Sequence, residues 1–199
     1  MAVQTSGGVI EAEFSEDGFR IVDIESSHHE IHEGESFTVC TADESMGDND
    51  TIVIAFKTPS GTRVAHMIAQ ASTLVGAHIE VIEGPTWDAE SGTLLTIFNR
   101  NRDGTPASSI ILENQSSATF TANDGVALNP TTFAGGTSLC TFFAFGSQSK
   151  IAPEARSLAE WMLKSDTQYA VRFTADGAAN KGAVVLTWYE HSQATEATT

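Results

Sequence analysis

The 199-residue chain carries 26 acidic against 10 basic side chains, a formal net charge of −16. Holding phosphates needs clustered Lys and Arg, so no nucleic-acid partner is expected. One domain of this size buries about 70% of its unfolded surface without disulfide or metal support; no segment approaches the ~20 apolar residues of a membrane span, and Met1 to Val9 lacks the basic start and apolar run of a secretory leader, so no membrane partner is expected either.

Residues 1–27 mix Gly7-Gly8, Glu11, Glu13, Glu16 and Asp17 with few apolar residues and read as an N-terminal arm. The next run, Ser27 to Glu33, would place His28, Glu30 and His32 on one face if extended. Such nitrogen and oxygen donors suit zinc or a redox metal, as in double-stranded-helix enzymes of the cupin type. A cupin-like site wants two His one residue apart, a Glu soon after and a distant His. Adjacent His28-His29 and the His29-x-x-His32 spacing depart from that, so surface histidines, no metal and no other cofactor are expected.

From Ser36 the pattern becomes strand, turn, strand: Phe37 to Cys40, an acidic loop from Asp43 to Asp50, then Thr51 to Phe56 stopped by Pro59-Ser60-Gly61. Asp48 and Asp50 have no EF-hand pattern around them and read as a solvated loop. Further strands are expected at Arg63 to Ala69, His78 to Ile82, Leu94 to Phe98, Ser109 to Leu112 and Ser138 to Phe145, with His66 and His78 as structural histidines. Cys40 and Cys140 sit in apolar strand-like runs and read as reduced core thiols. Arg100 and Arg102, two of the few basic residues, stand at a strand end. They suit either a contact with a carboxylate-bearing partner or an ordinary exit into a turn.

Pro153 to Leu163 has helical spacing at Leu158, Trp161 and Met162, but Ala159, Trp161 and Leu163 alternate with Glu160, Met162 and Lys164, which favours a strand from Glu160 to Leu163. Then Tyr169, Val171 and Phe173 alternate with Ala170, Arg172 and Thr174, and Val184, Leu186 and Trp188 repeat the period of two. The loop between, Asp176 to Gly182, supplies glycines and an Asn for positive-φ positions, so the two strands are expected to pair as an antiparallel hairpin. Leu163 followed six residues later by Tyr169 has the spacing of a tyrosine corner, in which the phenol bonds back to the backbone. The expected fold is all-β, a single antiparallel β-sandwich or jelly roll over residues 28–192, with a flexible tail at 193–199.

No Gly-x-Ser-x-Gly elbow, phosphate-cradling glycine loop or Cys-x-x-Cys pair occurs, so no enzyme is expected. Three blocks, His29 to Phe37, Phe98 to Arg102, and Leu163 to Tyr169 continuing through Trp188-Tyr189-Glu190, together resemble tailed-bacteriophage virion proteins of the head decoration, or cement, type. The resemblance spans residues 28–191. It implies a non-enzymatic homotrimer made in the host cytoplasm, which binds the outside of a capsid and ties major capsid proteins together. Arg100 and Arg102 are the candidate contact, whereas Leu163, Tyr169 and Trp188 are structural. Two rival readings stand. One is a carbohydrate-binding sandwich using Trp87, Trp161 and Trp188, of which Trp87, beside Gly84-Pro85, is expected to be exposed; the other is a metal-dependent jelly-roll enzyme using His28 to His32.

Overall fold

The structure, a computed structural model, describes residues 3–5, 8–15, 18–24, 26–88, 91–103, 107–110, 126–146 and 160–192. Among the described residues the chain is all-β apart from one short helix. Two antiparallel sheets pack face to face as a β-sandwich. The first has six strands in the order β11 (Thr137–Phe145), β7 (Gly76–Glu83), β13 (Gln168–Ala175), β5 (Thr51–Lys57), β10 (Val126–Leu128) and β8 (Thr93–Leu95). The second has five, in the order β12 (Glu160–Met162), β6 (Arg63–Thr73), β14 (Asn180–Ser192), β4 (Ser36–Met46) and β9 (Phe98–Asn99). No described helix is long and apolar enough to cross a membrane.

Alternation explains the core. Ile54, Phe56, Ile79, Val81, Val171 and Phe173 point inward from the six-stranded sheet, and Phe37, Val39, Met67, Val184, Leu186 and Trp188 from the five-stranded one. Burying each such side chain contributes about 1.5–3 kcal/mol relative to exposure. Strand β5 is buried on both faces, because Val53 and Ala55 join Ala127, Ala170 and Trp87 in a second cluster on the outer side of the six-stranded sheet. Trp87 is thus buried, against the expectation that it is exposed: the segment after Gly84 folds back over small residues and its indole closes the gap.

Five other expectations are corrected. The stretch read as an arm contains a three-stranded antiparallel sheet of β1 (Val3–Thr5), β2 (Gly8–Ser15) and β3 (Gly18–Ile24), whose register sets Phe14 opposite Phe19 and Glu13 opposite Arg20. Ile10, Ala12 and Phe14 alternate with Glu11 and Glu13, a period of two that a three-strand unit needs. Ser26–Glu33 forms helix α1, so His28, Glu30 and His32 have no common extended face. The helix stops at Gly34, φ 79°, in a Schellman motif: the Gly34 N–H donates to the Ile31 carbonyl (3.1 Å) and the Glu35 N–H to that of Glu30 (2.9 Å). The run Leu94 to Phe98 breaks in two, with β8 in one sheet and β9 in the other. Cys40 and Cys140 are free thiols as read, but Cys40 is exposed on the outer face of β4, alternating with buried Val39, and Cys140 is half-buried.

The last correction is the closing hairpin. β13 lies between β7 and β5 while β14 lies between β6 and β4, so the two strands occupy different sheets and the loop joining them is an arch over the end of the sandwich. Buried Asn180 anchors it: its amide oxygen accepts from Thr73 Oγ1 (2.9 Å) and the Val75 N–H (2.9 Å), and its Nδ2 donates to the Gly76 carbonyl (2.7 Å). Glycine is required at 182, since a Cβ there would lie 2.6 Å from the ring of Phe173 in the facing sheet. Ser109 and Ile110 are described without strand structure, and residues 111–112, residues 153–159 and the tail at 193–199 lie outside the described residues.

Candidate interaction surfaces

The connection from β12 to β13 also crosses between the sheets, and Tyr169 holds it. Its hydroxyl accepts from the Lys164 N–H (3.0 Å) and donates to Glu83 Oε2 (2.9 Å), while the ring, 1% exposed, lies against Phe56. Leu163 is buried below the corner and its N–H donates to the Ala65 carbonyl (2.9 Å). Thr58 completes the clamp, donating from Oγ1 to the Thr167 carbonyl (3.1 Å) and accepting from the Thr167 N–H (3.0 Å). Burial pushes the Tyr169 phenol up to about 12, opposed by the Lys164 N–H and aided by the Glu83 carboxylate. The corner therefore favours the protonated phenol. Its contribution is complete below the ordinary tyrosine value of about 10 and lost as pH rises from there through the folded value. Tyr169→Phe keeps the ring and leaves the Lys164 N–H unpaired, so a loss of about 1–3 kcal/mol in urea-measured stability is expected. An unchanged midpoint would remove the corner's role.

Glu190 is the other polar hub. Its carboxylate, 1% exposed, accepts from Trp188 Nε1 (2.9 Å), Ser108 Oγ (2.6 Å), the Ser109 N–H (3.0 Å) and Arg63 Nε (3.1 Å). Arg63 also donates to Glu35. Burial alone would lower the Arg63 pKa, but the hydrogen bonds it donates to Glu190 and Glu35, with their negative charges, outweigh it and the value is raised. This hub has no free coordination left for chemistry; it ties residues 107–110 to β14.

Arg100 and Arg102 sit where the second sheet meets α1. The Arg100 N–H donates to the Ser36 carbonyl (2.8 Å), Asn99 Nδ2 to that of Gly34 (2.6 Å) and Asn101 Nδ2 to that of His32 (3.0 Å), so the block from Phe98 to Arg102 satisfies carbonyls at the helix end. The Arg102 guanidinium lies 5.5 Å from the centroid of the half-exposed Phe98 ring. Beside Arg100, the outer face of the five-stranded sheet carries stacked His66, Tyr189 and His191, with ring centroids of His66 4.6 Å from Tyr189 and 4.8 Å from His191. Glu160 binds two of them, accepting from the Tyr189 hydroxyl (2.6 Å) and lying 2.8 Å from His66 Nδ1. Burial, then His66 and Arg63, hold His191 below the usual histidine value. His78 pairs with Asp176 (2.8 Å) at the opposite sheet.

The exposed apolar surface lies elsewhere. Strand β11 ends the six-stranded sheet, and its outer edge has no strand partner among the described residues. Phe143 and Phe145 on it are 60% and 68% exposed, and Leu74 and Val75, in the turn before β7, are 49% and 45% exposed. They adjoin, because Phe145 pairs with Gly76 and the Gly146 N–H donates to the Val75 carbonyl (2.8 Å). Sequence reasoning placed Ser138 to Phe145 in a strand but could not mark it as an edge. The signal available was Phe142-Phe143 followed by Phe145, which puts large apolar side chains on both faces of one strand. Compared with family models, curated proteins and solved structures, the chain matches none of them.

Proposed function

We propose that this chain is a non-enzymatic virion structural protein, a decoration subunit that binds the outside of a phage head as a homotrimer and stabilises the lattice of major capsid proteins. The observation that carries this reading is the edge of β11, which has no strand partner among the described residues, with Phe143, Phe145, Leu74 and Val75 exposed beside it. An uncovered strand edge with large apolar side chains is normally protected or used for contact, which suits a protein that works by binding others. The three sequence blocks supply the capsid as partner. The rival carbohydrate reading is weakened, since Trp87 and Trp188 are buried and Trp161 packs against the core, leaving no full indole face for a sugar ring. The cupin-like reading loses its three-donor extended face to α1.

Light scattering coupled to size exclusion is expected to give three times the 21.1 kDa chain mass, and Phe143→Ser with Phe145→Ser to give monomers that remain folded. Decorated capsids should disrupt at higher temperature than bare ones, because a ligand of the assembled lattice stabilises it by mass action. Arg100→Ala with Arg102→Ala is expected to weaken attachment if that strand end meets the capsid. A concentration-independent monomer that neither binds capsids nor raises their disruption temperature, but binds specifically on a glycan array, would overturn the reading.

A further inference from the structure

Helix α1 brings together a set of donors different from the one its sequence suggests when read as a strand. His29 and Glu33 are one turn apart on the helix, with His29 Nε2 3.4 Å from Glu33 Oε1, and one ligand atom each from His29, Glu30 and Glu33 lies within 4.8 Å of the others. Two ligands bound to one zinc at about 2.0–2.1 Å and at a tetrahedral angle are themselves about 3.4 Å apart, so the His29 to Glu33 separation spans one edge of that tetrahedron. We propose that His29, Glu30 and Glu33 form a binding site for one zinc ion per chain, with water completing the coordination.

Charge favours the ion. Glu30, Glu33 and Glu35 all lie at this end of the helix, so carboxylates crowd it. The nearby Arg63 guanidinium is engaged by Glu35 and Glu190. A divalent cation relieves that repulsion. One imidazole nitrogen with carboxylate oxygens is a zinc-type set rather than the all-oxygen set of calcium or magnesium. The backbone fixes it: the Schellman motif at Gly34 and the side-chain amides of Asn99 and Asn101 hold the last turn that carries Glu33. Helix α1 packs on β4 and β14, so binding is expected to stabilise the folded domain rather than to supply chemistry.

The test uses the full chain after dialysis against EDTA. Zinc sulfate titrated calorimetrically at pH 7.5 should bind at one ion per chain, Co(II) should show visible d–d absorption, and zinc should raise the melting temperature. His29→Gln and Glu33→Gln, both compatible with the helix, should each lower affinity by more than about tenfold, while His78→Ala leaves it unchanged. Circular dichroism in zinc-free buffer verifies that each variant keeps its fold. Absence of stoichiometric binding, or binding unaffected by His29→Gln and Glu33→Gln, overturns the site. The capsid reading stands or falls separately, since particle attachment by zinc-free protein is measured without this ion.

Discussion

Glu190→Ala is expected to lower the unfolding free energy by about 3–5 kcal/mol, the usual cost of removing one member of a buried ionic hydrogen-bonded group. The carboxylate is almost wholly buried and is the acceptor shared by Trp188 Nε1, the Ser108 hydroxyl, the Ser109 N–H and Arg63 Nε. Without it the indole N–H, the Ser109 amide and one side of the guanidinium lose their partner together, though Arg63 keeps Glu35. The loss should exceed that of Glu190→Gln, which retains an acceptor oxygen. Urea unfolding measures it, and hydrogen exchange at Ser109 and Ile110 should accelerate in parallel, because residues 107–110 are tied to β14 through this carboxylate. A midpoint within error of the parent chain would show that the hub contributes little.

Trp188→Ala should be comparably severe, about 3–5 kcal/mol, for a different reason. The indole is 2% exposed, packs with its ring centroid 6.0 Å from that of Phe37, and sits on the central strand of the five-stranded sheet, where the surroundings have little freedom to collapse into the cavity. Trp188→Phe would fill part of that space while removing the hydrogen bond to Glu190. The double variant Trp188→Ala with Glu190→Ala should cost less than the sum of the single changes, since the two residues share a bond that either change removes. Strict additivity would indicate that the indole and the carboxylate act independently.

These two residues also show how far the sequence can be read. The period of two that places Val184, Leu186 and Trp188 inward places Glu190 inward with them, so a buried acid was foreseeable from alternation alone. Its partners were not, because Arg63 and Ser109 reach it from 127 and 81 residues away. Tyr169 was readable because the Leu163 to Tyr169 spacing is local. The pairing of β13 and β14 was not: a glycine-rich loop suits a hairpin or an arch, and the difference lies in which strands flank each one. The only local hint was Gly182, whose lack of a side chain admits the Phe173 ring of the opposite sheet. Helix α1 had one signal in plain view, Gly34 after the last turn, but the alternation of His28, Glu30 and His32 competed with it. Trp87 had no local signal, since its burial depends on Ala127 and Ala170 from distant strands.

The arch at the end of the sandwich governs when the protein can fold. β13 is an interior strand of one sheet and β14 the middle strand of the other, and both come last among the strands of the sandwich. Neither can zip against the other as a hairpin would, so each must find partners far back along the chain, as Ser36 meets Trp188 across 152 residues. Until these strands are synthesised, β5, β7, β4 and β6 are left with open edges and half a core. Folding should therefore be slow and late, in the millisecond-to-second range of non-local β-proteins, and concentrated after β14 emerges. A ribosome-bound chain ending at Thr167, before β13 and β14, would expose two unsealed sheets, which makes the interval before completion the period of greatest aggregation risk.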